Sequence, residues 1–236
     1  MTENLVNRRK FSEKRLVDLI VAAPAPVGQS IVLEFDCSAG RADVVYFCLR
    51  RSWRQAADYA SIPPRWLYAL RSLPYRRKFT TAAFCALAGV TGKTANLVLR
   101  RYSRYKFCES GEKGSWFKVR QPLPIVTNIV AVEAKLHDWS RALAQAYRYL
   151  DYAHETWVAL DSKRSSGATR AINRFKRLNV GLYTVDRDGR RRIIFRPRRN
   201  QPKSPIRFWE ANAIISRAVK RSGARRHSLN TCGSTR

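Results

Sequence analysis

The sequence predicts an α/β fold. A mixed sheet flanked by helices is interrupted by a basic helix-and-hairpin insert and followed by a basic C-terminal extension. Three observations predict it. Short apolar, β-rich runs alternate with amphipathic helical stretches at both ends of a middle segment. Within that segment the composition turns basic and aromatic. The charge is also divided: residues 50–122 hold 16 basic and 3 acidic residues, 161–236 hold 21 and 4, and the remainder holds 9 and 10. Residues 1–49 and 123–160 are thus near-neutral between two basic blocks, and the core domain is expected at 1–49 and 123–186. The insert would occupy 50–122, and a partly disordered basic extension 187–236.

The elements follow in order. FSEKRLVDLIVA (11–22) has Phe11, Leu16, Leu19 and Ile20 near helical spacing, Ser12 as N-cap, and Pro24 and Pro26 to end it. SIVLEF (30–35) and RADVVYFCL (41–49) read as strands joined by a turn at residues 36–40. In the insert, Thr81–Ala88 and Gly92–Tyr105 read as helices joined through Gly89-Val90-Thr91, followed by a hairpin turning at Gly111–Gly114. IVTNIVAVEAKL (125–136) and TWVALD (156–161) read as buried strands. Between them DWSRALAQAYRYLDYA (138–153) reads as a helix capped by Asp138, with Leu143, Tyr147 and Leu150 on one side. A short helix and a strand ending at Asp186 follow. Residues 206–219 suit one more helix, and disorder is expected from Arg221.

Composition excludes some functions. A formal charge of +29 and a pI near 11.0 favour a polyanionic partner, with nucleic acid ahead of a membrane surface. No apolar run approaches the roughly 20 residues needed to span a bilayer. The N-terminus lacks an apolar signal core, so an intracellular location is expected. Cys37, Cys48, Cys85, Cys108 and Cys232 are scattered and predict neither disulfides nor a zinc site. His154 and His227 lack partners at metal-ligand spacing, and His137 reads as a loop residue. The GKT triplet at 92–94 is not a phosphate loop, because Leu87 stands where its leading glycine belongs.

The chemistry concentrates on one strand. Side chains alternate along a strand, so Glu133 and Lys135 share a face while Val132, Ala134 and Leu136 take the other. Asp43 on the second predicted strand completes a set of two carboxylates and an ammonium. Paired carboxylates suit a hard divalent cation such as Mg²⁺ or Mn²⁺, which keeps several waters and takes phosphate oxygens as further ligands. The bland reading is an edge strand carrying a surface Glu133–Lys135 salt bridge.

Asp43 in GRADVV and Glu133-Ala134-Lys135 in VAVEAKL resemble the PD-(D/E)XK nuclease superfamily, whose fold is restriction-endonuclease-like. The resemblance implies that Asp43 and Glu133 bind the metal and that Lys135 assists hydrolysis. Gln145-Ala-Tyr-Arg-Tyr149 is similar to the QxxxY signature of its exonuclease-like branch, which implies that Gln145 and Tyr149 belong to the catalytic set. Ala42 departs from the pattern, standing where the signature has proline. Glu13 and Asp18 are both available as the additional acid that the first helix often supplies. Such nucleases frequently pair to cut both strands, which makes a homodimer an expectation as well.

The insert resembles a winged helix-turn-helix. On its second helix, Lys93, Asn96, Arg100, Arg101 and Arg104 are the candidate DNA contacts. Trp53, Trp66, Tyr68 and Tyr75 interleave with Arg51, Arg54, Arg65, Arg71, Arg76 and Arg77, either to stack on unpaired bases or to pack within the insert. The expected function is a metal-dependent DNA nuclease. The alternatives are a non-catalytic DNA-binding regulator or architectural protein and, further off, an RNA-binding protein.

Overall fold

The computed structural model describes residues 11–23, 28–53 and 61–223. The chain enters on helix α1 (Glu13–Ala22), which starts where the Ser12 hydroxyl accepts the Arg15 amide at 3.1 Å. Pro24 and Pro26, expected to end it, lie outside the described residues, as do Arg54, His227 and Cys232. Strands β1 (Ser30–Cys37) and β2 (Gly40–Leu49) form an antiparallel hairpin, tighter than expected because pairing continues to Cys37↔Gly40. Gly40 sits at φ 125°, and a Cβ there would lie 3.2 Å from the Tyr149 ring. The glycine thus serves both the turn and the close approach of that tyrosine.

The basic segment runs α2 (Pro64–Ser72), β3 (Lys78–Thr80), α3 (Thr81–Ala88), α4 (Gly92–Arg104), β4 (Cys108–Ser110) and β5 (Ser115–Lys118). Its strands make a separate sheet in the order β3–β5–β4, all antiparallel. Helices α3 and α4 meet at 104° through Gly89, which is left-handed at φ 63°. Lys118 is fully buried here, its ammonium donating to the carbonyls of Leu70 and Arg71 and to Gln121 at 3.1–3.3 Å.

The chain then returns to the first sheet with β6 (Val126–Lys135), α5 (Trp139–Tyr149), β7 (Glu155–Asp161), α6 (Ser166–Arg170), α7 (Ile172–Leu178), β8 (Gly181–Val185), β9 (Arg191–Phe195) and α8 (Pro205–Gly223). The strand order is β1–β2–β6–β7–β8–β9. The β6–β7 and β7–β8 pairs are parallel and the others antiparallel, which makes the sheet mixed, as the sequence predicts. β7 and β8 are almost wholly buried, in keeping with their continuous apolar runs. One sheet face packs against α5, α7 and α8. Its buried cluster continues without a break through Trp66, Leu67, Phe84 and Tyr102 of the basic segment. The other face carries α1 through Leu16, Leu19 and Ile20.

Three sequence expectations change. β6 lies between β2 and β7, and Glu133 is 1% exposed, so the edge-strand salt-bridge reading falls. Helix α5 buries Ala142, Leu143, Ala146 and Tyr149 and leaves Tyr147 40% exposed, because the small residues let the helix lie close on the sheet. The stretch after Asp186 is not merely a tail. β9 extends the sheet, and α8 buries Trp209, Ala211 and Ile215. Arginines in β9 disguise it in sequence, and its edge position is what tolerates them. Asn212 on α8 secures the return to β6: its Oδ1 accepts the amides of Ile125 at 2.9 Å and Val126 at 3.3 Å. Among the described residues no single helix is long and apolar enough to cross a membrane.

Candidate active site

The β2–β6 ladder stops at Val44↔Val132. Beyond it the Asp43 Oδ2 accepts the Ala134 amide at 2.7 Å, a side chain taking up a main-chain donor where pairing has ended. Across the hairpin, β1 breaks regular pairing at Glu34, which lies opposite Asp43 and adopts φ 50°. The sheet therefore opens at this corner, and the three predicted residues meet there.

Glu133 projects beneath α5. Its Oε2 lies 2.7 Å from the Tyr149 hydroxyl, and its Oε1 lies 3.1 Å from the Lys135 Nζ. The Tyr149 hydroxyl is also 2.6 Å from the Arg41 carbonyl, so a single proton faces two acceptors. Glu13 approaches from α1, with Oε2 at 3.5 Å from Lys135 Nζ and Oε1 accepting the Leu136 amide at 3.4 Å. Of the two acids left open by the sequence, Glu13 reaches the cluster, whereas Asp18 is exposed on α1. Asp161, at the end of neighbouring β7, is spent on its own turn and accepts the Lys163 amide at 3.1 Å.

The charges respond to this crowding. Burial raises the pKa of Asp43, although the Ala134 amide and Lys135 oppose it. Burial also raises Glu133, and the negative charge of Asp43 adds to the effect. Burial acts to lower Lys135, but Glu133, Asp43 and Glu13 outweigh it and hold the ammonium above its ordinary value. A lysine so placed stays protonated. It supplies positive charge beside the two carboxylates.

Two carboxylates on adjacent strands, one of which hinders the other's ionisation, are a donor set suited to a hard divalent cation. Asp43 and Glu133, with the Ala134 carbonyl, are the groups that could hold one. Among the described residues no group of three or more His, Cys, Asp or Glu side chains converges on a metal position, so waters and substrate would have to complete the shell. Gln145, one turn before Tyr149, keeps its Oε1 buried without a hydrogen-bond partner among the described residues.

The remaining candidates lie elsewhere. Lys93, Asn96, Arg100, Arg101 and Arg104 are all exposed and form one stripe of α4, opposite its buried Ala95, Val98, Leu99 and Tyr102. Leu97, 72% exposed, sits within that stripe. Trp66 is buried with the Arg65 guanidinium 4.4 Å from its ring centroid, whereas Tyr68 and Tyr75 are exposed. His137 contacts Arg164, with Nε2 at 2.8 Å. His154 is a structural residue: its Nδ1 accepts the Ile129 amide at 3.1 Å, and burial lowers its pKa to about 4, keeping that nitrogen free to accept. The sequence reading missed Gly40 and Arg41. Their role arises from main-chain position, and the one available signal was a glycine at a hairpin end. No family model, curated protein or solved structure matches this chain.

Proposed function

We propose that the chain is a metal-dependent DNA nuclease of the PD-(D/E)XK type, with the 61–118 segment serving as a winged-helix DNA-holding element. The observation that carries this reading is the meeting of Asp43, Glu133 and Lys135 at the open corner between β2 and β6. Asp43 and Glu133 would hold Mg²⁺ or Mn²⁺. When bound, such an ion polarises a phosphodiester and lowers the pKa of a coordinated water. Lys135, kept protonated and partly exposed, neutralises charge that builds on the phosphate oxygens as the bond to water forms. Tyr149 fixes the rotamer of Glu133 and ties it to the hairpin through the Arg41 carbonyl. Glu13 holds Lys135 at the rim.

The strand order β3–β5–β4, the crossed helix pair and the basic stripe of α4 support the winged-helix reading. The same stripe favours the second reading, a non-catalytic DNA-binding regulator.

The test compares wild type with Lys135→Ala on labelled single- and double-stranded DNA in Mg²⁺, Mn²⁺ or EDTA. Metal-dependent cleavage, reduced about 100-fold or more in the variant with binding retained, is the expected result. Tight, salt-sensitive binding without cleavage by either protein overturns the nuclease in favour of the regulator.

A further inference from the structure

Helix α1 packs on one sheet face through Leu16, Leu19 and Ile20. Between it and the β9 edge lies a cleft of about 410 Å³, on the side of the sheet away from Glu133. That is within the size range of small-ligand sites. Its floor is aromatic: Tyr46 of β2, Trp157 of β7 and Tyr183 of β8 all line it. Trp157 and Tyr183 meet edge to face, with centroids 5.8 Å apart. The indole occupies this position because residue 181 is glycine; a Cβ there would fall 2.3 Å from Trp157 Cε3 and 2.8 Å from Pro197.

Polar groups surround the floor, some of them not engaged by other described residues. Asn128 lines the cleft and leaves its Oδ1 buried with no hydrogen-bond partner among the described residues, a state native proteins rarely keep without a reason. Arg196 lines it too and has neither an ion pair nor a hydrogen bond among the described residues. Arg191 borders both the cleft and the Tyr183 ring, 5.8 Å from its centroid, while donating to the Ile20 carbonyl. Glu155 is the one carboxylate at the rim. The segment 187–199 that forms this side carries seven arginines and one aspartate.

Aromatic residues that keep 6–8% of their surface exposed, an amide oxygen unpaired among the described residues and an arginine rim complement a planar base bearing a phosphate. We propose that this cleft takes an unpaired nucleobase, its ring against Trp157 and Tyr183 and its phosphate on Arg191 and Arg196. The base belongs either to a single strand or to a free nucleotide, and the two share this chemistry. The site does not depend on the carboxylates across the sheet and stands whether or not the protein cuts.

The experiment is photocrosslinking of a single-stranded oligonucleotide containing 5-iododeoxyuridine, in EDTA so that cleavage plays no part, with mapping of the crosslinked peptides. Crosslinks at Tyr46, Trp157 or Tyr183 are expected. They should fall, with single-strand affinity measured by anisotropy, by roughly tenfold or more in Asn128→Ala/Arg196→Glu, a variant that leaves the aromatic floor intact. Protection by millimolar mononucleotide identifies a free nucleotide as the occupant; protection by unlabelled strand alone identifies a base within a strand. Crosslinks confined to residues 61–118, or an affinity unchanged in the variant while its melting temperature is preserved, overturn the proposal. Lys135→Ala keeps the crosslink in either case, so loss of its cleavage bears on the active site alone.

Discussion

Replacing Tyr149 by Phe isolates what holds Glu133 in place. The ring is fully buried, 5.9 Å from Tyr152, and the substitution keeps that packing while deleting the hydroxyl. Two contacts go: the one to Glu133 Oε2 at 2.7 Å and the one to the Arg41 carbonyl at 2.6 Å. A hydrogen bond to an ionised partner contributes about 1.5–3 kcal/mol and a neutral one about 1 kcal/mol. One proton serves both acceptors, so the two do not add in full and the expected cost is about 2–3 kcal/mol. For a chain of this size that is a fall in Tm of about 5–10 °C.

The cost should also depend on pH. Burial and Asp43 already raise the Glu133 pKa, and Tyr149 opposes them, so the variant raises it further. A carboxyl whose folded pKa lies above its unfolded value destabilises the protein as pH rises through that interval. The variant has the wider interval, so its deficit grows with pH and is smallest in acid, where Glu133 is protonated in both proteins. Urea denaturation at pH 5 and pH 8, with m unchanged, measures this directly. A deficit under about 0.5 kcal/mol at both pH values would refute the idea that this hydroxyl holds an ionised Glu133.

Other consequences are open to measurement. Arg101→Ala on α4 should weaken DNA binding and reduce the slope of log K against log salt by about 0.9 if that guanidinium meets a phosphate; an unchanged slope removes it from the interface. Asn212→Ala leaves the buried amides of Ile125 and Val126 without their acceptor and should cost about 2 kcal/mol or more in denaturant unfolding. Gly181→Ala forces Trp157 to move and should cost about 1–3 kcal/mol, with a change in near-ultraviolet circular dichroism.

The sequence by itself determined most of the elements, because capping, turns and periodicity are local physics. Ser12 and Asp138 cap their helices as their hydrogen-bonding chemistry requires. The apolar runs at 41–49, 125–136 and 156–161 became central strands, since no other setting buries both their faces. Strand alternation put Glu133 and Lys135 on one side, Asp43 was expected beside them from the preceding strand, and Tyr149 was pointed to only by its resemblance to the QxxxY signature. Only the tertiary structure decided the pairings between distant segments. It brought Glu13 rather than Asp18 to Lys135, through the rotation of α1 on the sheet. It ended the β2–β6 ladder at Val44↔Val132, which freed the Ala134 amide for Asp43. It made β9 a strand despite its arginines, because β8 offered an open edge. It also shaped a cleft on the α1 side of the sheet between residues as far apart as Tyr46 and Arg196. Periodicity and capping act over a few residues, whereas strand pairing reaches up to 88 residues (Val44↔Val132) and the seating of α1 reaches 122 (Glu13 to Lys135), and no local pattern records those.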